Sequence, residues 1–200
     1  MNDLVRKAFD EVDRRDFVLP QYQDSADLDI PLPIGEGQTI SQPTTVRMML
    51  EWLDARPGDK VLDIGSGSGW TIALLSKIVG AKGKIYAVER VPQLKDFGEE
   101  NCRSAGIKNA KFYLAGPMLG LPDFAPYTRI LVSASAEELP EELIDQLKDG
   151  GKLVIPIGNS IFEIKNLAAD ATALQAGTKD KLESIEHQGF VFVPLINQRT

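Results

Sequence analysis

The sequence predicts an α/β fold: a doubly wound, mostly parallel sheet with helices ahead of it and a late antiparallel strand. Three observations carry that expectation. From Lys60 onward, short apolar runs alternate with segments of helical period, the rhythm of parallel strands joined by crossover helices. A glycine-rich turn, Gly65-Ser66-Gly67-Ser68-Gly69, separates the first such strand from the first such helix. An acidic residue, Glu89, ends the second strand.

Leu4, Val5, Ala8, Phe9 and Val12 recur at helical spacing, so residues 3–16 read as an amphipathic helix. The stretch from Phe17 to Ser41 has little periodicity and contains Pro20, Pro31, Pro33, Gly35 and Gly37. So long a loop is unusual in a compact domain and is often functional. A second helix presents Val46, Met49, Leu50 and Leu53 on one face and stops at Arg56-Pro57-Gly58-Asp59. Strands then read at 61–64, 84–88, 111–114, 129–133 and 152–155, with helices at 71–79, 92–105 and 140–147. Residues 162–165 and 190–193 read as late strands, with an ambiguous polar stretch from Ala168 to Gln188 between the two. The expectation is one domain: helices and loop over 1–57, sheet and C-terminal strands over 58–200.

The 200 residues, 43% apolar, suffice for one core, and 26% charged residues are ordinary for a soluble protein. The net charge of −7 argues against a nucleic-acid partner, which usually requires a basic patch. No apolar run approaches the roughly 20 residues of a membrane span. Met1-Asn2-Asp3 lacks the layout of a signal peptide, so a cytoplasmic protein is expected, a monomer by preference. The chain holds one histidine, His187, and one cysteine, Cys102. A four-ligand Cys/His zinc site and an intrachain disulfide are therefore excluded, and no metal is expected.

The glycines allow a tight turn and close approach of a ligand, and the helix start beyond them offers free N–H groups. A dinucleotide fingerprint reads G-x-G-x-x-G, whereas here Trp70 stands where its third glycine would be. That spacing suits a nucleoside with a small carboxylate tail better than a pyrophosphate. Glu89 is placed to accept ribose hydroxyls, and Asp63 to meet an ammonium group. The bland alternative is a glycine-rich turn beside an exposed Glu. The turn and the acid occurring together at the right separation favour the ligand. Trp70 is expected to pack behind the turn.

The segment Leu32-Pro33-Ile34-Gly35-Glu36-Gly37-Gln38-Thr39-Ile40-Ser41-Gln42-Pro43 resembles the substrate loop of protein-L-isoaspartate O-methyltransferases. Ala125-Pro126-Tyr127, Pro140-Glu141-Glu142-Leu143, residues 150–158 and Phe192-Val193-Pro194-Leu195 fit the same family in the same order. The resemblance implies a Rossmann-like class I methyltransferase fold. It implies S-adenosyl-L-methionine as cofactor, S-adenosyl-L-homocysteine as product, and isoaspartate in damaged proteins or peptides as substrate. Carried onto this sequence, it makes Ser41 the active-site residue, with Thr39 and Ile40 beside it at the substrate. Asp63, Gly65, Ser66, Gly67, Gly69, Glu89, Arg90 and Gly116 are the cofactor-binding candidates. The bland reading of Ser41 is an N-cap for the helix starting near Pro43. Ser133 and Ser135 end the fourth strand, where open sheets bind ligands, and are candidates for substrate contact.

The sequence departs from the family's pattern in three places. Its usual Gly-Asp-Gly after the third strand reads Ala115-Gly116-Pro117, which removes an acid and a backbone donor near the adenine. A hydrogen bond lost there costs on the order of 1 kcal/mol. Thr44 and Thr45 stand where many members have a histidine, and Thr128 where an Asp commonly follows the Tyr. Two alternatives stay open: a methyltransferase for small molecules, peptide aspartate or tRNA, and a catalytically weak binding module. Elsewhere, His187 reads as a surface residue, Cys102 as structural, and Glu137-Glu138 with Glu141-Glu142 as a solvated helix start.

Overall fold

The computed structural model describes residues 2–167 and 182–195. Helix α1 (Asp3–Glu11) starts where the Asn2 side chain accepts the Leu4 N–H at 3.0 Å. It ends sooner than its periodicity suggests, because Asp13 accepts the Arg15 N–H and opens a separate 3₁₀ turn, Arg14–Phe17. The segment expected to be irregular also has local structure. A 3₁₀ helix covers Pro20–Ser25, and an antiparallel hairpin joins β1 (Leu32–Gly35) to β2 (Gln38–Ile40). Its tip, Glu36-Gly37, has positive φ at both residues (52° and 70°), as a two-residue type I′ turn requires. Leu32, Ile34 and Ile40 point inward and are buried. Helix α2 (Pro43–Leu53) buries Val46, Met49, Leu50 and Leu53, as their spacing demands.

The strands are β3 (Lys60–Ile64), β4 (Lys84–Glu89), β5 (Ala110–Leu114), β6 (Tyr127–Val132), β7 (Leu147–Ile157), β8 (Ser160–Asn166) and β9 (Leu182–Gln188). They form one sheet in the order β5-β4-β3-β6-β7-β8-β9. β5 through β7 are parallel, while β8 and β9 run antiparallel to their neighbours. Helices α3 (Trp70–Val79), α4 (Pro92–Ser104) and the short α5 (Glu141–Asp145) complete the fold. Two cores result. Val61, Leu74, Leu75 and Ile85 belong to one, and Leu62, Ile64, Ile130 and Leu153 to the other. The alternation along β3 follows from the period of two along a strand.

Expectations also change toward the end of the sheet. The late antiparallel portion holds two strands, and the second is 182–188 rather than 190–193. β9 is an edge strand whose side chains are mostly exposed, so it carries no apolar alternation to read. The stretch Phe190–Val193 forms no strand: the Phe190 N–H donates to Asn159 O at 3.0 Å, and Ser135 donates its N–H to Val193 O at 2.8 Å while its carbonyl accepts the Leu195 N–H at 2.7 Å. Residues 168–181, part of the ambiguous stretch, lie outside the described residues. Helix α5 is shorter than expected because β7 already starts at Leu147. Between β3 and β6 the strand order reverses, and a crevice opens beyond the carboxyl ends of the strands, the usual ligand position in open α/β sheets.

Candidate functional site

The glycine turn lies at the end of β3, with Gly65, Gly67 and Gly69 at φ of 84°, 51° and 87°. Its shape depends on a fourth glycine that the sequence reading did not single out. A Cβ on Gly98 of α4 would stand 2.5 Å from Gly67 O, and one on Gly69 would stand 2.6 Å from Gly98 O. The helix backbone thus lies directly against the turn. Asn101 Nδ2 donates to Ser68 O at 2.9 Å, and the buried Cys102 thiol to Gly69 O at 3.3 Å. Burial, with a further push from Asp63, raises that thiol to about 12, so it stays protonated and structural. A glycine inside an otherwise helical pattern, costing about 1 kcal/mol against Ala, was the available signal.

Glu89 ties the same turn to β4. One carboxylate oxygen accepts the Gly67 N–H at 2.9 Å, and the other accepts those of Arg90 (2.7 Å) and Val91 (3.0 Å). A carboxylate offers about four acceptor positions, so room remains for a ligand hydroxyl. Asp63 is different. It points to the Val61 side of β3, is fully buried, and neither carboxyl oxygen has a hydrogen-bond partner. Burial, then Glu89, pushes its carboxyl up to about 8, so it is largely neutral near pH 7.

The hairpin supplies the opposite wall. Ile34 Cδ1 lies 3.2 Å from where a Cβ on Gly67 would be, so hairpin and turn come within contact distance. Ser41 follows β2 but does not cap α2. The N-cap position is Gln42, whose side chain makes no capping bond. Asp29 caps from a distance instead, accepting the Thr44 N–H and the Thr44 Oγ1 hydrogen, each at 2.8 Å, and Gln42 Nε2 at 3.1 Å. The Thr44 backbone bond is the first cause holding Asp29 below the usual carboxylate range. The Ser41 carbonyl is held by the Arg14 guanidinium at 3.1 Å.

An open cavity lies between these walls. It brings together Ser41, Thr39 and Ile40 with Gly65, Ser66 and Gly67, Glu89 and Arg90, Gly116 and Ser133. Three candidates stand apart. Asp63 is behind the wall and cannot meet a ligand's ammonium directly. Gly69 faces α4. Ser135 spends its N–H and carbonyl on the C-terminal segment and its Oγ on Gly158 O, at 3.0 Å. The lining also includes residues missed in the sequence: Ile34 and Gln38 of the hairpin, Met118 to Gly120, and Val193 to Leu195. Gln146 holds the 119–121 loop, accepting the Leu121 N–H and donating to Leu119 O, both at 2.8 Å.

Trp70 packs behind the turn, edge-on to Phe9 at 5.5 Å, and also borders the cavity. His187 is not a free surface group. It stacks on Trp52 at 3.8 Å and contacts Glu163 Oε1 at 2.8 Å. Thr128 bridges strands, donating to Lys60 O and accepting the Lys60 N–H, both at 3.0 Å.

The cradle fits a nucleoside carrying an amino-acid tail. Its glycine backbone is bare, and the buried Ser66 hydroxyl on its wall has no hydrogen-bond partner. Among the described residues no group of three or more His, Cys, Asp or Glu is placed to hold a metal ion.

The model of a family described as protein-L-isoaspartate(D-aspartate) O-methyltransferase matches residues 1–200. The protein-L-isoaspartate O-methyltransferase of Fervidobacterium nodosum is 43% identical over 187 residues, 94% of this chain and 92% of that protein. A solved structure of a protein-L-isoaspartate O-methyltransferase matches 97% of this chain with a TM-score of 0.84 at 29% identity; the chain spans 61% of it. A Plasmodium falciparum structure, described as a protein-L-isoaspartate O-methyltransferase in complex with S-adenosyl-L-homocysteine, matches at a TM-score of 0.80 and 25% identity. It covers 98% of this chain and 92% of its own.

Proposed function

The chain belongs to the protein-L-isoaspartate(D-aspartate) O-methyltransferase family, and from that premise we propose that it methylates the α-carboxylate of L-isoaspartyl residues in damaged proteins, with Ser41 orienting that carboxylate. The observation that carries this reading is that Ser41 and the glycine turn line one cavity. S-adenosyl-L-methionine, when bound, supplies a methyl group already activated on a sulfonium. The turn from Gly65 to Gly67, the Ser66 hydroxyl, Glu89, Arg90 and Gly116 are the residues that would hold it.

The chain's own task is then positional. A carboxylate has an ordinary pKa of about 4, so it reaches the site as an anion and needs no protein base. The Ser41 hydroxyl donates a hydrogen bond to one of its oxygens, which restricts it to a near-attack geometry. Thr39 and Ile40 flank that oxygen, and Ser133, at the end of β6 beside Gly65, borders the same cavity. Ile34, Ile40 and the Val193–Leu195 segment exclude water with apolar surface. A reaction of this kind suits a chain with a single histidine, stacked on Trp52, and a single, protonated cysteine.

The buried free thiol of Cys102 supports a reducing, cytoplasmic setting. Among the described residues no helix is long and apolar enough to cross a membrane. The test is methyl transfer from S-adenosyl-L-methionine to an isoaspartyl peptide and to its normal aspartyl twin. A base-labile methyl ester on the isoaspartyl form alone is the expected result. Its absence there overturns the reading.

A further inference from the structure

Arg14 is a cation in the interior, with only 6% of its surface exposed. All four of its terminal N–H groups are used, and each meets a different carbonyl. Nη1 donates to Ala26 O at 3.0 Å and Leu28 O at 3.2 Å; Nη2 donates to Ile30 O at 2.9 Å and Ser41 O at 3.1 Å. The guanidinium also lies over the Trp70 ring, 5.2 Å from its centroid. Trp70 is the first residue of α3, directly after the glycine turn, and borders the same cavity as Ser41.

Stability alone does not account for this choice of residue. A buried charge held by neutral carbonyls carries a desolvation cost, and well-packed apolar groups often replace buried ions with no loss of stability. A planar fork of donors gives geometry instead. Each carbonyl it holds fixes one peptide plane, and the fourth plane is that of Ser41 itself. The position of the guanidinium over the Trp70 ring ties that plane to the rim of the cofactor cradle. Lysine has three donors around a point charge and no plane to stack, so it cannot reproduce the arrangement.

We propose that Arg14 is a positioning residue of the transfer: it sets where the Ser41 hydroxyl stands relative to the cradle by holding the Ser41 carbonyl and the 26–30 segment over Trp70. The proposal rests on the role given to Ser41 above.

The experiment uses the full chain with Arg14→Lys and Arg14→Ala. S-adenosyl-L-homocysteine titration counts intact cradles, kcat and KM are measured with the isoaspartyl peptide, and amide exchange is followed over 26–42 and 65–69. The expected result is cofactor-product affinity within about threefold of wild type, with kcat per binding site down by at least about thirtyfold in both variants. Exchange rises over 26–42 and not over 65–69. Guanidinium chloride restores turnover to Arg14→Ala relative to equal potassium chloride, and does not restore it to Ser41→Ala. Turnover per binding site within about threefold of wild type in either variant overturns the proposal. So does a loss of turnover matched by an equal loss of binding sites, which is the signature of a purely structural residue. Should Arg14→Ala fail to fold, Arg14→Lys carries the same readouts. A wild-type chain that forms no isoaspartyl ester overturns the activity instead, while exchange over 26–42 still decides whether Arg14 holds that wall.

Discussion

The glycine turn and the Ser41 hairpin face each other across one cavity, yet they are held by different means. The turn is fixed first by backbone against backbone, Gly98 of α4 meeting Gly67 and Gly69 with no side chain between them, and the Glu89, Asn101 and Cys102 side chains add hydrogen bonds to that contact. The hairpin wall is fixed by side chains reaching across sequence. Arg14 collects carbonyls 12 to 27 residues away, and Asp29 caps a helix 15 residues away. A backbone contact at van der Waals distance tolerates no added atom, since protein interiors are close-packed. A hydrogen-bond clamp loosens by degrees. The cradle is therefore expected to fail abruptly, and the substrate wall gradually.

The largest effect should come from Gly98→Val. It puts a branched side chain against Gly67 O, and S-adenosyl-L-homocysteine affinity should fall by more than about a hundredfold in calorimetry. Affinity kept within a few-fold would mean that α4 can retreat and that the contrast between the walls is false. Next is Ser41→Ala, which removes one oriented donor from the opposite wall. The isoaspartyl kcat should drop about a hundredfold while S-adenosyl-L-homocysteine binding stays within about threefold. Unchanged turnover would show that the hydroxyl has no part in orienting substrate.

The two walls also hold carboxyls shifted in opposite directions. Asp63, behind the turn, binds its proton more tightly folded than unfolded, at about 8 against 3.8. Its contribution to stability is complete below the unfolded value and is lost as pH rises through the folded one. Wild type should therefore lose up to about 1.4 kcal/mol per pH unit relative to Asp63→Asn between about pH 4 and about pH 8. Urea midpoints of both proteins across that window check this, and parallel curves would contradict it. Asp29, on the other wall, is held below its ordinary value by the Thr44 amide and hydroxyl. Its contribution is present above the unfolded value and disappears as pH falls through the lower, folded one. Asp29→Ala should give the smallest change: KM for the peptide raised by less than about tenfold, cofactor-product affinity unchanged, and reduced acid sensitivity of thermal unfolding. Steady-state kinetics and melts near pH 3 would show whether that wall does yield by degrees.

The same contrast decides what can be read from sequence. The turn, β3, β4 and Glu89 are legible because their partners sit on consecutive elements with a fixed spacing. Asp63 is misplaced by proximity alone: it adjoins the glycines, but the alternation of β3 turns it to the Val61 face, away from the cavity. Ser41 reads as a cap in the sequence, yet the N-cap position is Gln42 and the capping oxygen comes from Asp29, at a separation that local pattern does not convey. Arg14 looks like one more charge in Asp13-Arg14-Arg15-Asp16, and only the folded loop shows its four carbonyls. Edge strand β9 is polar because the sheet demands little of it, so its composition conceals it.

The cavity's walls run from Ile34 to Leu195, and its last contributors are clasped by Ser135 through the Val193 and Leu195 bonds. Proteins are made from the N-terminus onward. During synthesis the hairpin, the glycine turn and Glu89 all emerge well before Val193, so the cradle is made before its roof. The site becomes whole only when the Val193–Leu195 segment docks, and the integrity of that segment becomes a condition for closing a pocket lined mostly by residues that precede it by more than sixty positions.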